Sequence, residues 1–391
     1  MLREIIIYSP VFITILWSIV LLTSSPKNNK AKFFLGIFML DVFMLFLSHV
    51  FYFQKQVAVY WYFDLAFIFC ALTVYPLYYC YIKLLTVETT FKLKSLLLFL
   101  PAFILFIISA IAYFLMLPEQ RNLYVNEVLF NNRKIANADL LIKIQESMLF
   151  LVPIIYISQI AYTVIKSRKY IREYNKTIAN FYSNIEDKTI DWAIPLLYSL
   201  VAASLISVVC SVLGRSFFLE ETWFLYIPMI CFSLFFFIAG YLGNIQNHSV
   251  ANLEQDIVLV ADTLIEKEHI SISSDDVFNS TKLKVELLDL FEKEQIFTNA
   301  DLKIVDLAQM LNTNRTYVSN VINNELSSSF NKFVNQYRIQ KAKEIILEDK
   351  QKNYTLELVS QEVGFGSLHT FIRAFKEFEG VTPGTFRDNN Y

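Results

Sequence analysis

Arg315, Thr316, Ser319, Asn320 and Asn323 fall on one side of a helical stretch, Arg315–Glu325, whose opposite side carries Val318 and Ile322. A second polar stripe repeats the pattern: Leu368, His369, Thr370, Arg373 and Lys376 are set against Phe371, Ala374 and Phe375. Arginine and asparagine present paired hydrogen-bonding groups that match guanine and adenine edges. Lysine and hydroxyl side chains suit phosphate oxygens. This is the chemistry of recognition and not of bond breaking. No nucleotide-cradling loop, kinase motif, phosphoacceptor context or catalytic constellation accompanies it, and His248 and His269 stand isolated. Cys70, Cys80, Cys210 and Cys231 all lie inside apolar runs, with no metal-ligand or disulfide spacing. No enzymatic activity, cofactor or metal is expected.

Each stripe needs a rigid holder. Leu302–Leu311 has apolar residues at helical spacing, and Asn312-Thr313-Asn314 breaks it ahead of Arg315. Two helices that cross near a right angle need a small residue at their contact, which Ala308 supplies. Asn314 is a good N-cap. The arrangement recurs about 52 residues later as Thr355–Val363, a turn at Gly364-Phe365-Gly366, and Ser367–Phe378. Gly364 suits a left-handed C-cap, and Phe365 plugs the corner. Between the copies Phe333, Val334, Tyr337, Ala342, Ile345 and Ile346 mark a long connecting helix over Ser329–Leu347. That helix sets the separation of two units which can enter successive major grooves, roughly 34 Å apart.

Residues 302–387 resemble the DNA-binding domain of AraC/XylS-type transcriptional regulators. The resemblance rests on Leu307-Ala308, Val318, Arg338 with Ala342, Gly364-Phe365, Phe371, Arg373-Ala374-Phe375-Lys376, Gly380-Val381-Thr382-Pro383 and Arg387. Ser360 departs from it, standing where the family usually has alanine, but is small enough for the helix crossing. The resemblance implies a two-unit helix-turn-helix domain that binds double-stranded DNA in a bacterial cell, with the two polar stripes as its reading faces.

Residues 301–391 contain 11 Lys/Arg and 11 Asp/Glu, a net of zero. Phosphate neutralisation supplies much of DNA affinity, so an isolated domain should bind poorly. A basic strip from Lys332, Arg338, Lys341 and Lys343, and avidity from a homodimer, are the expected compensations.

The rest of the chain has a different composition. Over the whole chain 55% of residues are apolar and 18% charged, and the long apolar runs lie before residue 244. Seven segments approach the roughly 20 apolar residues that span a bilayer: Glu4–Thr23, Lys32–Phe53, Val57–Leu85, Ser95–Leu117, Leu140–Lys166, Trp192–Leu213 and Thr222–Gly243. With the N-terminus outside, 12 Lys/Arg fall in the inner loops and 6 on the outer side, which satisfies the positive-inside rule. Seven spans then leave the C-terminal part in the cytoplasm, where DNA is. Pro118–Asp139 is the longest outer loop and has no strong pattern, so a large outer domain is excluded.

Ionisable groups within spans are costly and mark candidate sites. His49, Asp64, Glu146 and Arg215 fall at one depth in the outer third, with Trp61, Tyr62 and Trp223 near them. An outward-opening ligand pocket is one reading; structural pairing, such as His49 with Asp64, or exposure at the interface is the other. Asp41 is deeper and must face other helices or be protonated. Between the parts, Val250, Leu253, Ile257, Val260 and Leu264 have the spacing of a short coiled-coil seam. A parallel dimer helix and a helix packed on its own chain fit it equally. His269–Asn279 reads as a break, and Thr281–Phe297 as an amphipathic helix.

The expected fold is all-α: a seven-helix transmembrane domain (1–243), a helical linker (244–300), and a two-unit helix-turn-helix domain (301–391). The expected function is a regulator in the bacterial cytoplasmic membrane, binding promoter DNA as a dimer in response to a small-molecule, lipid or membrane-protein signal. A transporter- or enzyme-like membrane half, or a passive tether answering to a partner protein, are the alternatives.

Overall fold

The computed structural model describes residues 2–23, 29–88, 90, 92–213, 223–246, 248–265, 276–349 and 353–390. The described residues are helical or irregular, and β pairing among them is limited to one antiparallel bridge, Tyr182 to Lys303. The chain divides into two units: residues 1–172 with 190–251, and residues 173–189 with 252–391.

The first unit holds α1 (Leu2–Leu22), α2 (Lys30–Phe53), α3 (Val57–Thr86), α4 (Leu100–Leu115, entered through a 3-10 turn, Leu93–Phe99), α5 (Pro118–Leu123), most of α6 (Leu140–Phe181), α7 (Ala193–Leu213) and α8 (Trp223–Ile245). Six stretches among the described residues are long and apolar enough to cross a membrane; the Ala193–Val209 part of α7 is a shorter apolar helix. Such helices are apolar all round because lipid, unlike water, accepts apolar side chains. On α4 Phe103, Ile104, Ile107, Ile111 and Phe114 are outward and exposed. Where helices meet, small residues allow close approach. A Cβ at Gly36 would meet Leu22, and one at Gly240 would collide with the Trp17 ring. Gly36 also accepts the Ser18 hydroxyl through its carbonyl, at 3.1 Å.

Two local expectations need correction. Pro118–Asp139 is not patternless. After α5 it forms a wide helical turn, Tyr124–Phe130, whose Tyr124, Val125, Val128, Leu129 and Phe130 are buried, and Tyr52 Oη donates to the Leu129 carbonyl at 3.0 Å. The stripe is too short and too interrupted by polar residues to register as a sequence period. The second difference lies in α6, which continues to Phe181 and is 42 residues long. At about 1.5 Å per residue it measures roughly 63 Å, twice a bilayer core. Beyond Lys166 the buried Ile171, Tyr174, Ile178 and Phe181 keep an apolar stripe in an otherwise charged sequence.

The second unit contains α9 from Asn252 onward (Val250–Ile265 in full), α10 (Asp276–Glu292), α11 (Ile304–Met310), α12 (Arg315–Asn320, prolonged by a wide turn to Glu325), α13 (Phe330–Glu348), α14 (Leu356–Glu362), α15 (Leu368–Glu379) and α16 (Pro383–Asn389). The helix expected over Thr281–Phe297 starts earlier, at Asp276 within the expected break His269–Asn279, and ends at Glu292, because Gln295 turns left-handed at φ 50 and a 3-10 turn follows. Its Leu283, Leu287 and Phe291 are buried at four-residue intervals, and Phe291 packs on Phe333 and Tyr337 of α13. On α9 Val250 and Leu253 are buried within the chain, as a helix packed on its own chain requires. The side chains of Val260 and Leu264, and all of His269, lie outside the described residues.

Candidate nucleic-acid interface

In the first helix-turn-helix unit Leu307, Ala308, Val318, Val321 and Ile322 are almost wholly buried. The turn between α11 and α12 closes through Thr313 N–H to the Ala308 carbonyl (2.9 Å), with Asn312 left-handed at φ 47. Asn314 caps α12 by accepting from Tyr317 N at 3.1 Å. This leaves Arg315, Thr316 and Asn320 exposed, with Ser319 and Asn323 half-buried. Asn323 Nδ2 donates to Ser319 Oγ at 2.9 Å. Tyr317, which the sequence reading passed over, is 42% exposed beside them.

The second helix-turn-helix unit packs Ile339, Ala342 and Ile346 of α13 against Val359, Val363, Phe365, Phe371, Ala374 and Phe375. Ser360 is buried at the crossing, and its hydroxyl donates to the Glu357 carbonyl at 2.8 Å. Gly364 has φ +91. Ser367 caps α15 by accepting from Thr370 N at 3.2 Å, and Gly380 ends it at φ +76. His369, Arg373 and Lys376 are exposed and Thr370 is half-buried. Leu368 is only partly available, since it packs against the core.

The basic strip is not formed. Arg338 is 1% exposed, its Nε donating to the Phe297 carbonyl and Nη2 to the Asn299 carbonyl, each at 2.7 Å. Burial lowers its guanidinium to about 10, against the pull of Asp301, so it remains charged at neutral pH. Lys343 is paired with Glu379 at 3.0 Å and Lys341 with Glu344 at 3.4 Å. Lys332 is exposed. Spacing along the helix put these cations together; packing assigned them separate partners.

The family described as "Helix-turn-helix domain" matches residues 307–389. Over 88 residues the chain is 30% identical to the uncharacterized HTH-type transcriptional regulator YtdP of Bacillus subtilis, covering 22% of this chain and 11% of that protein. Over 86 residues it is 34% identical to YfiF of the same organism, covering 22% of this chain and 26% of that one. Residues 307–389 are an AraC-type helix-turn-helix domain. The chain spans well under two thirds of either relative's length. Among solved structures, the C-terminal domain of AraT, a response regulator from Geobacillus stearothermophilus, is similar at 26% identity and a TM-score of 0.24, covering 28% of this chain and 84% of that one.

The AraC-type domain does not stand alone within its unit. Residues 181–186, which begin at the last residue of α6, lie against it. Ser183 N–H donates to the Leu302 carbonyl at 2.9 Å, extending the Tyr182–Lys303 bridge. Asn331 Nδ2 donates to the Ser183 carbonyl, and Arg338 Nη2 to Ser183 Oγ at 3.2 Å. Tyr182 Oη donates to Asp256 on α9 at 2.6 Å, and Lys303 pairs with the same carboxylate at 3.1 Å. Burial, then this bond, raises the Tyr182 phenol well above its ordinary value. Phe181 has its ring 5.9 Å from the Arg315 guanidinium. Glu186 accepts from Ser367 Oγ at 2.7 and 2.9 Å and from Thr370 Oγ1 at 2.9 Å. No sequence period singles out Glu186; it is one of three acids, with Asp187 and Asp191, in the short segment after α6.

In the first unit of the chain two adjoining cavities, of about 120 Å³ and 90 Å³, share Leu45, His49, Phe67, Tyr156 and Ser207 in their walls. Asp64, which accepts from Tyr113 Oη at 2.7 Å, lines the smaller. His49 Nδ1 lies 2.9 Å from the Leu45 carbonyl. Of the other expected lining residues, Glu146 is on neither wall, and Trp61 packs instead against Tyr113, Phe114 and Arg121. Tyr62 is exposed. Arg215, and the side chain of Trp223, fall outside the described residues. Tyr156, Ser204 and Ser207 were missed, because uncharged hydroxyl groups on an apolar helix give no charge signal. Asp41 accepts the Thr73 hydroxyl at 2.8 Å, facing a neighbouring helix as its depth required.

Proposed function

We propose that this chain is a one-component transcription regulator of a bacterial cytoplasmic membrane, which binds promoter DNA sequence-specifically when the membrane helices perceive a signal. The observation that carries the reading is the joining, in one chain, of an AraC-type domain at 307–389 to six apolar helices of membrane-spanning length, with the shorter apolar helix α7 proposed as the seventh span. The loop charges support an outside N-terminus and a cytoplasmic AraC-type domain. Residues 1–243 then sense, 244–300 link and 301–391 bind DNA, as a homodimer because the domain has no net charge to hold DNA by itself. Arg315, Thr316, Ser319, Asn320 and Asn323 read one groove. His369, Thr370, Arg373 and Lys376, with the edge of Leu368, read the next.

Genome-wide DNA capture with wild type and Arg373→Ala tests this. Wild type is expected to enrich a common sequence. Arg373→Ala should lose it through a deficit of about 1–3 kcal/mol, the usual worth of one base-reading arginine. Equal, sequence-independent capture by both chains would overturn the reading.

For the signal, the joined cavities favour a small, largely apolar molecule with a polar end near His49, Asp64 and the Tyr156 hydroxyl. Cavities near 150 Å³ lined by apolar groups hold molecules the size of benzene. Arg215 and Trp223 complete the proposed outer mouth; Glu146 does not. Replacing the membrane helices with an inert anchor should make DNA occupancy constant under all growth conditions. Unchanged regulation would instead favour a passive tether that answers to a partner protein.

A further inference from the structure

We propose that Glu186 occupies the place of a DNA backbone phosphate on the second recognition helix, so that residues 181–186 and DNA exclude each other. The inference rests on the DNA-binding reading above and adds a built-in block to it.

The N-terminus of α15 is the positive end of its helix dipole, which favours an anion nearby. An anion of this chain is already there. Glu186 takes the hydroxyl of the capping Ser367 and that of Thr370, one of the residues expected to contact DNA. Its approach is prepared from both sides. Asn184 Oδ1 accepts from Glu186 N at 3.1 Å, and Asp187 adopts φ 59 to turn the chain away. On the opposing side Gly366 leaves room, since a Cβ there would strike the Asn184 amide.

The same short segment reaches the other unit, where the Phe181 ring lies near the Arg315 guanidinium. One stretch of six residues therefore touches a candidate reading residue in each unit. Its backbone is anchored between them through Ser183, bound to Leu302, Asn331 and the buried Arg338. A carboxylate and an aromatic ring are to this face what a phosphate and a base are: an anion and a flat π surface.

Residues 173–189 continue directly from α6, whose earlier turns belong to the membrane unit. A signal that shifts α6 along or about its axis acts on Glu186 through unbroken helix and five further residues. Release then exposes the α15 N-terminus to phosphate. Because binding is linked reciprocally, DNA must also loosen the segment.

The test uses the full-length chain in lipid nanodiscs and a duplex recovered by the capture experiment, with a scrambled duplex as control. Glu186→Ala removes the carboxylate while the Ser183 anchors stay, and it should tighten specific binding at least about fivefold, the lower end of ordinary site-to-site coupling. Glu186→Gln, which keeps shape and loses charge, should lie between the two. In wild type, adding the specific duplex should speed tryptic cleavage after Lys188; the scrambled duplex should not. Unchanged affinity in Glu186→Ala, with Arg373→Ala still defective and Lys188 cleavage unaffected by DNA, overturns the block and leaves the DNA reading standing. Failure of every variant to prefer the specific duplex overturns both.

Discussion

Gly364→Ala is expected to unfold the second helix-turn-helix unit and abolish specific DNA binding. Two costs add at this one position. Its φ of +91 lies where a Cβ is strained, and that Cβ would sit 2.4 Å from the carbonyl oxygen of Thr298, a backbone atom with no rotamer to yield. Backbone strain and overpacking each cost about 1–3 kcal/mol. Together they approach the lower end of a domain's total stability, about 5 kcal/mol. Gly384→Ala is the matched control. Its Cβ would meet only ordinary contacts, 3.8 Å from Leu356 and 4.0 Å from Thr382, so a change under about 0.5 kcal/mol is expected. Hydrogen-exchange protection of Val359–Phe375 should collapse in the first variant and persist in the second. Equal protection in both would show that the turn accommodates a side chain.

Arg338→Ala is expected to be nearly as severe, for a different reason. The buried guanidinium satisfies the Phe297 and Asn299 carbonyls and the Ser183 hydroxyl at once. Truncation leaves those acceptors unpaired and a void next to Phe365, whose ring lies 5.5 Å from the guanidinium. Each acceptor left unsatisfied costs about 1–3 kcal/mol, so for two carbonyls and a hydroxyl a loss of at least about 3 kcal/mol is expected. Arg338→Lys should recover only part of it, since an ammonium lacks the planar fork that reaches separate acceptors. Urea unfolding of the full chain, followed by exchange of the Leu302 and Ser183 amides, separates the variants. Wild-type midpoints in Arg338→Ala would mean that water replaces the guanidinium without cost.

Much of the DNA-binding half could be read directly from residue types. Asn314 as a cap, Gly364 as the left-handed turn, Phe365 in the corner, and the inward set Val318, Ile322, Phe371, Ala374 and Phe375 all follow from local rules. Caps, turns and helical faces depend on neighbours within a few residues, and the chain itself holds those neighbours. The apolar helices were legible for the same reason, because length and hydropathy are properties of one segment.

Side chains whose partners are far away in sequence were not legible. Arg338 looked like one of four cations on a helix. Its acceptors are 39 and 41 residues distant in the bonds to Asn299 and Phe297, and 155 distant at Ser183. Glu146 shared a depth with His49 and Asp64 but not a wall, since depth is one coordinate and a cavity needs three.

The paired polar stripes were therefore fixed locally: the spacing of Arg315 to Asn323 and of Leu368 to Lys376 puts each set on one helix face, whatever surrounds it. Their cover was not. That Ser367 and Thr370 are held by Glu186, and that Arg315 lies near Phe181, was decided only when packing placed the end of α6 on the AraC-type domain. Long-range contacts of this kind come from three-dimensional closure, and no local periodicity encodes them.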